Sequence, residues 1–127
     1  MTQTVEVFHT AFEKTAEHVV TIVVDREVTI TCALELAYLC TQNDMQGEDR
    51  TSWIPPVARQ GATITPTPSV IAKGGCRSTS VGDYARVKDA QHVESFWRCA
   101  VAGWAKIQSR EEIALVGEAA MLAGYRS

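Results

Sequence analysis

The run HVVTIVVD, residues 18–25, restricts what this chain can fold into more than any other stretch. Six of its eight residues are β-branched; such side chains lose χ1 freedom in a helix and pack well on a pleated surface. It therefore reads as a strand. Just upstream, TVEVFHTAF (4–12) alternates, with Val5, Val7, His9 and Ala11 on one face and Glu6, Phe8, Thr10 and Phe12 on the other. The short polar segment EKTAE separates the two runs, so they read as a hairpin. A lone two-stranded hairpin is marginal in water, and further elements must pack on it.

The next segment changes period. TITCALELAYLCTQN (29–43) offers Thr29 or Thr31 as an N-cap, followed by the helix formers Ala33, Leu34, Glu35, Leu36, Ala37 and Leu39. The spacing predicts a helix whose stripe Leu34, Ala37, Tyr38 and Thr41 packs on the sheet, with Ala33, Leu36 and Cys40 beside it. Residues 44–76 hold all four prolines and read as a long irregular loop. Inside it, Ala62–Thr65 suits a short strand that Pro66 and Pro68 confine to an edge or end. Long connections often carry function. Asp44, Glu48, Asp49, Arg50 and Trp53 are accordingly the candidate partner-binding residues, although a short acidic run followed at once by Arg50 is more commonly a solvated loop.

Beyond the loop, Tyr84, Arg86 and Lys88 alternate with Ala85 and Val87, and Val93, Ser95, Trp97 and Cys99 alternate with Glu94, Phe96 and Arg98. Two antiparallel strands joined through KDAQ are expected. At the end, Ser109 and Glu112 stand in capping-box spacing, which predicts a helix from Arg110 to about Leu122. The order β-β-α-loop-β-β-β-α implies an α+β fold, a small antiparallel sheet of about five strands with two helices on one face.

Composition then excludes whole classes of function. With 127 residues and 46% apolar side chains, the chain suits a single domain spanning 1–127. Its formal charge of −3 offers no field for a phosphate backbone, which argues against nucleic acid as a partner. No apolar run approaches the ~20 residues that span a bilayer, and the N-terminus lacks signal-peptide character. A cytoplasmic protein is the expectation. Cys32, Cys40, Cys76 and Cys99 form no C-x-x-C pair and read as reduced thiols. With His9, His18 and His92 they lack the close ligand pairs of structural zinc, so neither a metal nor a cofactor is expected.

One segment invites a chemical reading. In GGCRSTSVGD (74–83), Arg77, Ser78, Thr79, Ser80 and Asp83 are the candidate ligand-binding residues, because a guanidinium and three hydroxyls on a glycine-preceded loop can hold an anion. The competing reading is that these side chains bond their own main chain and that Gly82-Asp83 turns the chain into the next strand. Phosphate-loop spacings and a G-x-S-x-G elbow are both absent from the sequence. Cys76 beside Arg77 is a thiol whose pKa a positive neighbour could lower, with His9, His18 or His92 as a conceivable base, and nothing in the sequence fixes such a pair in space. No catalytic residue is assigned, and binding is expected rather than catalysis.

Three segments together resemble a group of small proteins encoded by bacteriophages and related mobile elements. They are ALELAYLCTQN, CRSTSVGDYARV and HVESFWRCAVAGWAKI. The matching positions are Leu34, Glu35, Ala37, Tyr38, Thr41 and Asn43, then Arg77 to Asp83, then Gly103 and Trp104. Asp44 and DRTSW sit where such relatives carry a short tryptophan loop. The resemblance implies an accessory protein of the host cell's cytoplasm that binds and modulates a host or phage macromolecule, a defence component among the roles. A protein partner is expected. The alternative is a small-ligand or anion-binding domain centred on Arg77–Ser80. Oligomeric state is left open, a homodimer included.

Overall fold

The computed structural model describes residues 2–11, 17–25, 28–42, 58–59 and 61–107. Among these residues seven strands form one antiparallel sheet: β1 (Gln3–His9), β2 (Glu17–Val24), β3 (Ala58–Arg59), β4 (Ala62–Pro66), β5 (Tyr84–Lys88), β6 (Glu94–Ala100) and β7 (Gly103–Lys106). Their spatial order is β3-β4-β2-β1-β5-β6-β7. Among the described residues two helices, α1 (Ile30–Cys40) and α2 (Pro68–Lys73), accompany the sheet, and the class is α+β. The hairpin read from residues 4–25 is present, and it lies inside the sheet with β4 on one side and β5 on the other.

The register explains why the β-branched run is buried so heavily. Val7 pairs with Val20 but Phe8 pairs with His18, so β2 carries a bulge at Val19. Val19 and Val20 consequently both enter the core, together with Val5, Val7, Ile22, Val24, Ile64, Ala85 and Val87. Each fully buried valine or isoleucine contributes about 1.5–3 kcal/mol of transfer free energy. Phe8 falls on the opposite face, beside Tyr84 across the β1–β5 pair, and is nonetheless wholly buried. Its ring centroid lies 5.0 Å from that of His18.

Helix α1 crosses β1, β5 and β7. Thr29 is its N-cap, accepting a 3.1 Å hydrogen bond from the Cys32 N–H. At the other end the Thr41 hydroxyl donates to the Ala37 carbonyl at 2.8 Å, which satisfies one of the last orphan carbonyls. Ala33, Leu34, Leu36, Ala37 and Cys40 are buried against the sheet. Tyr38 is not: it is 40% exposed, a correction to the stripe expected from spacing. The buried arc is centred nearer Ala37 and Cys40, which turns Tyr38 to its margin. Replacing Thr29 by alanine is expected to cost about 1 kcal/mol of stability, measurable as a lowered urea midpoint with unchanged slope.

Among the described residues the sheet has seven strands rather than about five; the additions are β3, inside the stretch expected to be irregular, and β7, which returns along β6 after a tight turn. Within 44–76 lie β3, β4 and α2. The strand expected at Ala62–Thr65 is β4, lying between β2 and the two-residue edge strand β3. The sequence reading passed over α2 because six residues show no helical period. Its signals are local: Thr67 caps it, Pro68 opens it and Gly74 closes it at φ 82°, a left-handed conformation that glycine adopts freely. Val70 ties α2 into the core, and Thr67 bonds back to β2 through the His18 and Val19 carbonyls. The helix expected at 110–122 lies outside the described residues.

Candidate functional site

The glycine-serine turn converges on a carboxylate. Asp83 has no exposed surface. Its Oδ1 accepts the N–H groups of Thr10 (2.9 Å) and Ala11 (3.0 Å), and its Oδ2 accepts that of Ser80 (2.7 Å). Arg77 closes the site with both prongs of its fork, Nη1 to Oδ2 and Nη2 to Oδ1, each at 2.8 Å. Burial alone would push this carboxyl upward in pKa. The Arg77 fork, the Ser80 and Ala11 N–H groups and nearby His9 outweigh it and hold Asp83 below the ordinary carboxylate value.

The other turn residues fold inward on the same centre. Thr79 is buried, and its hydroxyl lies 3.1 Å from Nε2 of His9, itself buried on β1. The Thr79 N–H donates to the Thr41 carbonyl, and its own carbonyl accepts from the Gln42 side chain, so the turn is laced to the end of α1. Ser80 Oγ donates at 3.4 Å to the Ser78 carbonyl, which also accepts from Arg77. The structure thus brings Arg77, Ser78, Thr79, Ser80 and Asp83 together, as the spacing suggested. It directs the guanidinium onto Asp83 and joins β1, α1 and the start of β5. Asp44, Glu48, Asp49, Arg50 and Trp53 lie outside the described residues.

A second polar group sits on the sheet face opposite α1. Glu6 on β1 accepts from Nε and Nη2 of Arg86 on β5, and Nε2 of His18 on β2 lies 3.8 Å from Glu6. The same nitrogen is 3.1 Å from the Thr21 hydroxyl and 3.2 Å from the Val20 carbonyl. Burial lowers the His18 pKa below 6.5; Glu6 and the Val20 carbonyl oppose the shift and Arg86 adds to it. Folding therefore favours the neutral imidazole. The associated stability is present above the unfolded value of 6.5 and declines as pH falls from there through the lowered folded-state value. Chemical denaturation across that range is expected to show this slope in the native protein and its loss in a His18→Gln variant.

Between the outer side of α1 and the β6–β7 hairpin runs a cleft of about 440 Å³. Glu35, Tyr38 and Leu39 line one wall, Val101, Gly103 and Trp104 the other, with Val81 and Cys99 completing it. Six large apolar side chains are exposed among the described residues, and four of them, Tyr38, Leu39, Val81 and Val101, border this one cleft. Single scattered apolar side chains are ordinary on a protein surface, and clustered ones are not. Cys99 is buried at the cleft, where burial and the Asp83 charge push its thiol pKa up, so it is not a poised nucleophile. Sequence reasoning missed the cleft. The available signal was the i, i+3, i+4 set Glu35, Tyr38 and Leu39, two apolar residues on the side of α1 away from the core.

Among the described residues, no three His, Cys, Asp or Glu side chains converge as a metal site, and no helix is long and apolar enough to cross a membrane. Compared with known proteins, the chain matches no family model, no curated protein and no solved structure.

Proposed function

We propose that this chain is a non-enzymatic accessory protein of the bacteriophage or mobile-element kind, which acts by binding a protein partner through the cleft between α1 and the β6–β7 hairpin. The observation that carries the reading is the gathering of Tyr38, Leu39, Val81 and Val101 at the rim of one cavity. Val101, 93% exposed at the hairpin tip, has no packing role of its own. The volume of the cleft suits one or two apolar side chains of a partner. The anion-binding alternative at Arg77–Ser80 gains less support, because the Arg77 fork is engaged by Asp83.

The experiment compares affinity capture from the producing host by the native protein and by a Leu39→Asp, Val101→Asp double variant. Both positions are exposed, so the variant is expected to keep the native circular dichroism and unfolding midpoint. A protein enriched by the native chain and lost with the variant supports the reading. The same proteins enriched equally by both would overturn it.

A further inference from the structure

The cleft has a charge character as well as an apolar one. Glu35 is the one charged side chain among its described lining residues; it is exposed and, among the described residues, takes part in none of the ion pairs. It lies within one helical turn of Tyr38 and Leu39, and Trp104 stands on the facing strand. Aromatic faces and a carboxylate attract the same charge: ring quadrupoles and a carboxylate both favour a cation. Arg86, Lys88 and Arg98 share the other face of the sheet with Glu6, whereas Lys106, two residues beyond Trp104 on β7, shares the face of the cleft without lining it, so Glu35 is the charge at the cleft wall itself.

We propose that the cleft takes an apolar peptide segment carrying a lysine or arginine, its aliphatic side chains against Leu39, Val81 and Val101 and its cation at Glu35, Tyr38 and Trp104. This inference rests on the protein-binding reading above and adds the chemistry of the partner. Charge complementarity selects this occupant over an acidic segment. A second copy of the chain would bring a second Glu35 to the contact, and the net charge of −3 further disfavours self-association.

The test uses fluorescein-labelled synthetic peptides of alternating leucine and lysine, with leucine–glutamate and leucine–serine peptides of equal length, titrated against the full chain by fluorescence polarisation. The leucine–lysine peptide is expected to bind about tenfold more tightly than the leucine–glutamate peptide. Glu35→Gln is expected to weaken it up to about fivefold, and Tyr38→Ala about tenfold. Asp25→Asn removes an exposed acid outside the cleft and is expected to change nothing. Because Glu35, Tyr38 and Asp25 are exposed, all three variants are expected to fold.

If Asp25→Asn weakens binding as much as Glu35→Gln, the attraction is diffuse and the inference fails. If all three peptides bind equally and Tyr38→Ala weakens each, the cleft binds protein without regard to charge, which sinks the inference and leaves the protein-binding reading intact. If no peptide responds to Tyr38→Ala, both fail. Concentration-dependent dimerisation abolished by Tyr38→Ala would assign the cleft to a second copy and overturn the proposal.

Discussion

Replacing Asp83 by alanine is expected to destabilise the fold by about 3–5 kcal/mol, the largest effect of any single polar substitution in the described residues. Three backbone N–H groups, from Thr10, Ala11 and Ser80, lose their acceptor at once, and the Arg77 guanidinium loses its bidentate partner. Each buried donor left without a partner costs about 1–3 kcal/mol. Asp83→Asn keeps the shape but turns an NH₂ group toward donors, so an intermediate loss is expected. The acid limb of the stability profile offers a separate check. A carboxyl held below its unfolded value of 3.8 contributes stability that is present above that pH and is lost as pH falls through the lowered value. That component is expected to vanish in Asp83→Asn. A loss under about 1 kcal/mol for Asp83→Ala would show that the turn is held by other contacts.

Phe8→Ala is expected to cost about 3–5 kcal/mol. The ring is fully buried on the sheet face away from α1, against His18, so truncation removes its transfer free energy and leaves a void that a sheet lattice cannot close. Val93→Ala, at a position 60% exposed, serves as the comparison and is expected to change stability by less than about 0.5 kcal/mol. Equal urea midpoints for the two variants would mean that Phe8 carries no packing role. His18 is expected to respond as well. With the neighbouring ring gone its burial falls, its pKa rises toward 6.5, and the pH slope attributed to it flattens.

Both substitutions lie where local pattern is a poor guide. The alternation of residues 4–12 places Phe8 on the face of Glu6 and Thr10, which is correct, yet gives no hint that Phe8 itself is fully buried there, beside the half-buried Thr4 and Glu6. In GGCRSTSVGD the spacing offers Asp83 as one ligand-binding candidate among five and as part of the Gly82-Asp83 turn; in the fold it is the centre and the hydroxyls are its surroundings. Tyr38 was legible as a helix residue. Its exposure depends on where α1 settles across β1, β5 and β7, because a helix stripe can rotate by part of a turn without changing its spacing.

Residues close in sequence determined the class of the fold. β-branching at 19–24 and alternation at 84–88 force extended backbone, and Thr29 starts a helix by capping its own turn, since these effects act within four residues. Tertiary structure alone decided the bulge at Val19, the course of β3 and β4, and the cleft between α1 and the β6–β7 hairpin. The Asp83 site shows the reason. Its acceptors are filled by N–H groups of Thr10 and Ala11, 73 and 72 residues away along the chain, and no local preference records which distant backbone group will arrive.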